Sequence, residues 1–408
     1  MSDVNDYAGK WSTSPTIALR ATEEFDLATL NRNSTPAWDG KKKHGKKFMK
    51  TREGILDELQ ERFFANARLG DDRRILVVLQ GLDTSGKGGI VRHVLGMVDP
   101  QGLHIANFGV PTEEELSHHF LWRIKKQLPP PGKIGVFDRS HYEDVLIGRV
   151  DKLADEDEID KRYDEINRWE AKLVEEGYTL IKVALMHSHR EQGMRLAERL
   201  ARPDKWWKYS TNDIDTRGKW DAYQEAYQVM FDRTSTEHAP WYIVPADRKW
   251  YSRLAVTELI VQALVDLEQE WPMPRWKLEV QRRRLLETMN AEDMEEAQEA
   301  LQMKREDVNE EILEVARIRS AIDEVGELDD GDRVGGDVDI PDTTMEEEMA
   351  GVSADEDSND SNEDSDGEDS DGKDSNGKDS DSDDSTEKPK KPKKSKKKGK
   401  KSKKGKKK

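Results

Sequence analysis

The sequence predicts an α/β protein in which helices flank a doubly wound parallel sheet. Three observations support this fold class. Five short apolar runs are typical of buried strands, and they span Arg74–Gln80, Leu103–Phe108, Ile134–Phe137, Thr179–Met186 and Trp241–Pro245. Helical patterns occupy the intervals between these runs, as parallel strands require helical crossovers. Ten of the 11 tryptophans lie before residue 272, so this part of the chain can bury a core.

The predicted elements follow one another along the chain. Residues 1–50 are predicted to be an irregular arm with a basic cluster made of Lys41, Lys42, Lys43, Lys46, Lys47 and Lys50. A helix around 51–68 comes next, because apolar side chains such as Ile55, Leu59 and Phe63 recur there at helical spacing. Further helices are predicted at 87–97, 112–127, 140–150, 156–176, 188–202, 217–233 and 248–267.

Composition divides the chain into four parts. Residues 1–50 form the N-terminal arm, and residues 51–275 form the α/β domain. Residues 276–326 are helical in propensity but strongly charged, which favours a helical extension or a linker. Residues 327–408 are predicted to be disordered, because they have almost no apolar side chains to offset the entropy of ordering.

Several classes of protein are excluded by composition. The chain has no cysteine, which rules out a disulfide framework, a thiolate zinc site and a cysteine nucleophile. It has no apolar run long enough to span a membrane, and its N-terminus resembles neither a signal peptide nor a transit peptide. The sequence therefore predicts a soluble cytoplasmic protein without a membrane partner.

A phosphate-binding loop is predicted directly after the first strand. The segment from Gly81 to Gly88, Gly-Leu-Asp-Thr-Ser-Gly-Lys-Gly, fits the pattern G-x-x-x-x-G-K at a strand-to-helix junction. Gly81, Gly86 and Gly88 let backbone N–H groups curl around a phosphate, and Lys87 adds a positive charge at the helix N-terminus. A plain glycine-rich turn with a surface lysine is the structural alternative.

The metal-binding residues of this loop are predicted to be unusual. Position 88 is glycine, where nucleotide-binding loops of this type place the hydroxyl residue that contacts magnesium. Asp83, inside the loop, is the candidate substitute, and a turn-forming or capping role is its alternative. Asp138 ends the third strand and is the second candidate ligand of a magnesium ion. Arg139 follows it and is predicted to contact phosphate.

Four ordered blocks resemble the polyphosphate kinase 2 family over roughly residues 20–270. They are Leu79-Gln-Gly-Leu-Asp-Thr-Ser-Gly-Lys-Gly-Gly89; Pro111-Thr-Glu-Glu-Glu-Leu116 with Phe120-Leu-Trp-Arg123; Phe137-Asp-Arg-Ser-His-Tyr-Glu-Asp-Val-Leu146; and Arg199-Leu-Ala-Arg-Pro-Asp-Lys-Trp-Trp-Lys208 with Ala239-Pro-Trp241. The resemblance implies a P-loop kinase-like fold with a helical lid at about 188–216. It implies that Lys87 cradles phosphate, that Asp83 and Asp138 position Mg²⁺, with Mn²⁺ as a substitute, and that Arg139 holds a nucleotide phosphate.

A positive strip is predicted on the lid. Arg195, Arg199 and Arg202 lie at helical spacing, so they would line one face of a helix and contact phosphates, and the strip continues to Lys205 and Lys208. A merely solvated charged face is the alternative. Arg92 and Arg123 are predicted to face a polyphosphate groove with the lysine cluster of the arm. Five tryptophans are assigned to packing of the lid and the core, with stacking on a nucleotide base as the alternative: Trp206, Trp207, Trp220, Trp241 and Trp250.

The predicted activity is transfer of the terminal phosphoryl group of polyphosphate to AMP or ADP, with GDP as a further acceptor, in a reversible and magnesium-dependent reaction. An ATP-dependent nucleoside monophosphate kinase is the main alternative, and a non-enzymatic scaffold that binds polyphosphate or nucleic acid is the other. A homo-oligomer is expected. Nucleic acid is expected as a partner only through the tail, where 351–387 carry 16 acidic residues and 388–408 carry 15 lysines; the same lysines could tether polyphosphate.

Overall fold

The computed structural model describes residues 10–300. They contain one five-stranded sheet with helices on both faces. The strands are β1 (Arg74–Gln80), β2 (Leu103–Asn107), β3 (Ile134–Asp138), β4 (Tyr178–Met186) and β5 (Trp241–Pro245). The helices are α1 (Pro15–Ala18), α2 (Lys42–Ala67), α3 (Lys87–His93), α4 (Glu113–Leu116), α5 (Leu121–Lys125), α6 (Glu143–Val150), α7 (Glu156–Glu175), α8 (His189–Ala201), α9 (Asn212–Gly218), α10 (Trp220–Thr234), α11 (Lys249–Asp266), α12 (Leu278–Leu286) and α13 (Ala291–Ala300). None of these helices is long and apolar enough to cross a membrane.

The sheet is parallel throughout and confirms the predicted fold class. Its strand order is β2-β3-β1-β4-β5, so β1 is central and the chain crosses over on both sides of it. Successive side chains of β1 point to opposite faces. Ile75 and Val77 pack with α2 and α11, whereas Leu76 and Val78 pack with α6, α7 and α10. This burial on both faces explains why the strand sequences are continuously apolar.

The first long helix begins earlier than predicted. α2 starts at Lys42 and not near residue 51, so most of the basic cluster is helical and the prediction of an irregular arm up to residue 50 is wrong there. Lysine is a good helix former, and the added turns bury Phe48. They also bring Gly45 so close to α11 that a Cβ there would lie 2.8 Å from the Trp250 ring. Packing against α11 therefore stabilises helical turns that precede the region in which apolar residues recur at helical spacing.

Two other predicted helices are shorter or broken. The pattern at 112–127 forms α4 and α5 with an interruption between them, and the pattern at 87–97 forms α3 followed by a 3₁₀ turn at Leu95–Met97. The predicted extension 276–326 contains α12 and α13. Its remainder and the predicted disordered tail lie outside the described residues, as do the boundaries proposed at 326 and 327.

The N-terminal arm covers one edge of the sheet. Arg20 pairs with Tyr242 of β5 in an antiparallel bridge. The Ala21 N–H donates to the Trp241 carbonyl at 2.8 Å, and the Ile243 N–H donates to the Leu19 carbonyl at 2.7 Å. The arm thereby satisfies backbone groups that an edge strand would otherwise leave unpaired.

Candidate active site

Two strand ends bring the predicted site residues together. Within the parallel sheet, Leu79 of β1 lies opposite Asp138 of β3. The glycine-rich loop leaves β1 two residues later, at Gly81, and Asp138 is the last residue of its strand. Ligands of open α/β sheets bind outside the carboxyl ends of such strands. The loop and the aspartate therefore form one site at this edge.

Two glycines of the loop, Gly81 and Gly86, adopt conformations that a residue with a side chain rarely adopts. Gly81 has a φ of 149°, and a Cβ there would lie 2.6 Å from the Ser85 hydroxyl and 2.8 Å from the Leu185 carbonyl. Gly86 caps α3 in the left-handed region at φ 115°. A Cβ at Gly88, in contrast, would meet no atom within 4 Å. Position 88 therefore has room for a side chain, although the chain has none there.

Lys87 is the first residue of α3, and it is almost fully buried in the loop. Its Nζ donates to the Gly81 carbonyl at 2.6 Å. Burial lowers the pKa of this ammonium group, and the negative charges of Asp138 and Asp83 oppose the shift. The lysine is therefore held between the loop and both carboxylates that were predicted to bind metal.

Asp83 and Asp138 fit the ligand set that a hard cation prefers. In the described part of the chain, no three acidic or histidine side chains gather into a metal site. Mg²⁺ does not need such a cage, since it is bound through one or two carboxylates together with substrate phosphates and water. The Asp83 carboxylate accepts a hydrogen bond from the Arg139 guanidinium at 2.8 Å, so it lies next to the residue that follows Asp138.

Arg139 has a backbone conformation that is rare for a residue with a side chain. Its φ is 65°, and its N–H donates to the Leu79 carbonyl at 3.1 Å. The next residue, Ser140, is buried and accepts hydrogen bonds from the Gln80 amide at 3.1 Å and the Tyr142 N–H at 3.2 Å. Through these contacts Ser140 fixes the turn that follows β3.

A buried ion pair lies beneath this turn. Lys182 of β4 donates to Glu170 of α7 at 2.7 Å, to the Tyr142 hydroxyl at 2.9 Å and to the Thr234 carbonyl at 2.7 Å. The Tyr142 hydroxyl donates to Glu170 at 2.7 Å, and His141 contacts the same carboxylate at 3.2 Å. All three ammonium hydrogens of Lys182 thus have an acceptor. The histidine and tyrosine that follow Asp138 are anchors for the turn.

The segment predicted to be the lid begins with α8 and continues through a 3₁₀ turn at Pro203–Lys208. Arg199 donates to Asp213 of α9 at 3.2 Å and to the Lys208 carbonyl at 3.1 Å. Desolvation raises the pKa of Asp213, and the negative charge of Asp83 adds to that shift.

The predicted positive strip is not continuous. Arg202 ends α8 outside the helical conformation and pairs with Asp204 at 2.8 Å, while Lys205 and Lys208 lie in the 3₁₀ turn. Arg195 is buried against the phosphate loop, on the side away from solvent. Trp206 and Trp207 are 58% and 79% exposed, so their assignment to packing is wrong, whereas the fully buried Trp241 confirms it for the core.

The two arginines predicted to line a polyphosphate groove lie in different surroundings. Arg92 is exposed on α3. Arg123 is buried, donates to the Gly109 carbonyl at 3.0 Å and lies 3.7 Å from Glu115. Arg123 therefore holds the loop after β2 in place.

Comparison with known proteins decides the family. Residues 40–272, which contain the sheet, the glycine-rich loop and the lid, match the family model described as polyphosphate kinase 2. The chain belongs to the polyphosphate kinase 2 family. This confirms the resemblance drawn from the four sequence blocks.

Relatives within the polyphosphate kinase 2 family cover the same region. The AMP/ADP-polyphosphate phosphotransferase of Meiothermus ruber is 41% identical over 250 residues, which is 61% of this chain and 92% of the relative. The ADP-polyphosphate phosphotransferase of Rhodopseudomonas palustris is 37% identical over 262 residues, covering 61% and 89%. The crystal structure of polyphosphate kinase 2 from Arthrobacter aurescens TC1 is 47% identical with a TM-score of 0.67, covering 68% of this chain and 98% of that one.

Sequence reasoning about this polyphosphate kinase 2 chain missed Glu143 and His187. Desolvation raises the pKa of Glu143, while Arg139 and Lys87 oppose the rise, so this carboxyl group faces the same charges as the two aspartates. Its position five residues after Asp138 was the available signal. His187 is buried beside Thr84, at 3.3 Å from its hydroxyl, and burial lowers its pKa to about 3. It follows the last residue of β4, where a strand end meets the loop.

Proposed function

We propose that this protein transfers the terminal phosphoryl group of inorganic polyphosphate to AMP or ADP. The observation that carries the proposal is the match of residues 40–272 to the polyphosphate kinase 2 family, with the glycine-rich loop and Asp138 inside the matched region. Two relatives that share this region are named for the same transfer, to AMP and ADP or to ADP. The enzyme is a phosphotransferase, and enzymes of this family generally depend on a divalent metal ion.

Phosphoryl transfer requires alignment and charge neutralisation more than covalent participation by the protein. An oxygen of the acceptor phosphate forms a bond to the terminal phosphorus, and the bond from that phosphorus to the bridging oxygen breaks, leaving a chain shorter by one phosphate. Lys87 is placed to exchange its bond to the Gly81 carbonyl for a phosphate oxygen. Arg139 holds a nucleotide phosphate, and Arg199 reaches the phosphates from the lid.

Asp83 and Asp138 are proposed to hold Mg²⁺, with Mn²⁺ as a substitute. When bound, the metal would neutralise charge on the phosphates and help to align them. The hydroxyl group that normally serves this purpose is missing at Gly88, and a carboxylate within the loop replaces it. This arrangement supports the polyphosphate-dependent reaction over an ordinary ATP-dependent monophosphate kinase.

The donor can be tested directly. Purified protein mixed with AMP or ADP, Mg²⁺ and long-chain polyphosphate should form the higher nucleotide in the absence of any nucleoside triphosphate. Product formation is measured by chromatographic separation of the nucleotides. If AMP is phosphorylated only when ATP is added, the monophosphate-kinase alternative is correct.

The lid arginine Arg199 is expected to act mainly after substrate has bound. Replacing it with alanine should lower kcat about tenfold and change KM for polyphosphate by much less, because closure over the phosphates contributes to the transition state. Steady-state rates at varied polyphosphate concentration provide the measurement. Arg190→Ala, an exposed change on the same helix, is the matched control. A fully active Arg199→Ala variant would show that Arg199 is only part of a solvated face.

A further inference from the structure

The buried arginine of α8 has every donor engaged by the protein. Arg195 is 6% exposed. Its Nη1 donates to the Thr84 and Ser85 carbonyls at 2.8 and 3.3 Å, its Nη2 to the Ala246 and Asp247 carbonyls at 2.6 and 3.0 Å, and its Nε to Glu191 at 2.8 Å. An arginine has five N–H donors in a fixed planar arrangement, and these five acceptors account for all of them.

A second residue of the same helix contacts the same loop. Gln192, one turn before Arg195 and buried, donates to the Asp83 carbonyl at 3.4 Å. Three successive carbonyls of the phosphate loop, those of residues 83, 84 and 85, therefore face α8. Because the peptide bonds are trans, the N–H of each of these peptide units points away from its carbonyl. The helix thus fixes which side of the loop presents N–H groups.

The loop needs such support at Thr84. Its φ is 70°, in the left-handed region that a β-branched residue rarely adopts. A conformation of this kind persists only where its surroundings hold it. Arg195 donates to the carbonyl of this residue and His187 contacts its hydroxyl, so two of its three polar groups are held by side chains of α8 and of the loop after β4.

Arg195 also connects the phosphate loop to the loop after β5, and we call this connection the brace. The Asp247 carbonyl accepts a hydrogen bond from Arg195. The Asp247 carboxylate accepts one at 2.7 Å from the N–H of Ser188, the N-cap residue of α8. The first turns of α8 are thereby fastened to two strand-end loops at once.

We propose that Arg195 and Gln192 are positioning residues that orient the phosphate loop, and that Arg195 does not bind phosphate. This revises the role predicted from the helical spacing of the lid arginines. It rests on the proposed function only in taking the loop as the phosphate site. The essential property is that the planar guanidinium has two separate NH₂ groups. A single ammonium group cannot reach the carbonyls of both the phosphate loop and the loop after β5.

Hydrogen exchange of the substrate-free protein tests the brace without any need for activity. In the Arg195→Lys variant, the amide hydrogens of peptides covering 82–90 should exchange at least about tenfold faster than in the parent, because the loop opens more often. Arg190→Gln, on the exposed side of α8, should leave them unchanged. Since no phosphate is present, loss of a phosphate ligand cannot produce this result. Unchanged exchange in Arg195→Lys would overturn the proposal.

Kinetics separate the two roles in a second way. Arg195→Lys and Arg195→Gln should both lower kcat by roughly 10–100-fold, as expected for a misplaced loop, since the retained charge of lysine does not restore the fork. The dependence of KM for polyphosphate on salt should equal that of the parent, because no contact to the polyanion is lost. Near-parental activity of Arg195→Lys, or a weaker salt dependence in Arg195→Gln, would show that Arg195 acts through its charge.

A milder variant keeps the proposal testable if the Arg195 variants do not fold. Gln192→Met preserves side-chain volume and removes the donor to the Asp83 carbonyl, together with the oxygen that accepts a hydrogen bond from Arg217 at 3.2 Å. Arg217→Met, which keeps the donor to Asp83, controls for that second loss. Gln192→Met should lower kcat severalfold and speed exchange of the same peptides. A Gln192→Met variant within twofold of the parent in kcat, with unchanged exchange, would contradict the proposed orientation of the loop. If polyphosphate does not serve as phosphoryl donor, the proposed function is wrong. The hydrogen-exchange result does not depend on the substrate and would still test the role of Arg195.

Discussion

Replacement of Asp138 by asparagine is expected to lower kcat by about 10³-fold while the protein remains folded. The change removes one negative charge at the end of β3 and keeps the shape of the side chain. Groups that stabilise transition-state charge are worth up to about 4 kcal/mol each, which corresponds to this loss. Single-turnover rates at saturating polyphosphate provide the measurement. The half-saturating Mg²⁺ concentration should rise in the same variant, since one of its two proposed carboxylate ligands is gone.

Asp83→Asn should have a comparable effect if the loop aspartate holds metal. Asparagine can form the same turn, so normal turnover of this variant would identify Asp83 as a turn former. Gly88→Ser is the informative companion, because a side chain fits at this position without a clash. The added hydroxyl should not restore the activity of either asparagine variant. Asp157→Asn on the exposed surface of α7 serves as the matched control for loss of a carboxylate.

Lys182→Met is expected to cost about 3–5 kcal/mol of unfolding free energy, because it leaves the Glu170 carboxylate buried without its counter-charge. For a domain of this size, such a change lowers Tm by roughly 10 °C. Urea and thermal unfolding, followed by circular dichroism, measure the effect. The double variant Lys182→Met/Glu170→Gln removes both charges and should recover part of the loss. A single variant as stable as the parent would show that the pair contributes nothing.

The pH dependence of this loss has a definite sign. In the parent, burial opposes ionisation of Glu170, but Lys182 and His141 more than offset burial and hold its pKa below the ordinary value. The stability from this carboxylate is therefore present above the ordinary carboxyl pKa and is lost as pH falls through the lowered value. Without Lys182, protonation relieves the buried charge. The difference between parent and Lys182→Met should thus narrow as the solution becomes acidic.

The sequence predicted the features that depend on local pattern. The five strands are within a residue of their predicted bounds, because burial on both sheet faces requires continuous apolar runs. The glycine-rich loop and Asp138 were found because phosphate binding needs those residue types at those places. The start of α2 was missed, since its first turns are charged and are held by α11, which lies about 200 residues away in the chain.

The surroundings of the site were harder to predict. Helical spacing placed Arg195 with Arg199, but spacing alone does not show which face of α8 meets the phosphate loop. The partnership of Lys182 with Glu170 joins a strand to a helix, and nothing in either local sequence marks the other. A lysine in an apolar strand was the only available sign. Such contacts depend on tertiary packing, which one sequence does not reveal.

The N-terminal arm changes what should be regarded as the unit of cooperative unfolding. The family match begins at residue 40, yet residues 19–21 supply backbone partners to β5, and Trp11 packs against Trp38 and Tyr251. The arm therefore belongs energetically to the sheet, although it lies outside the matched region. β5 is thus held by β4 on one side and by the arm on the other, and Ala246 and Asp247, which contact Arg195, directly follow this strand. We therefore expect loss of the arm to disturb the support of the phosphate loop as well.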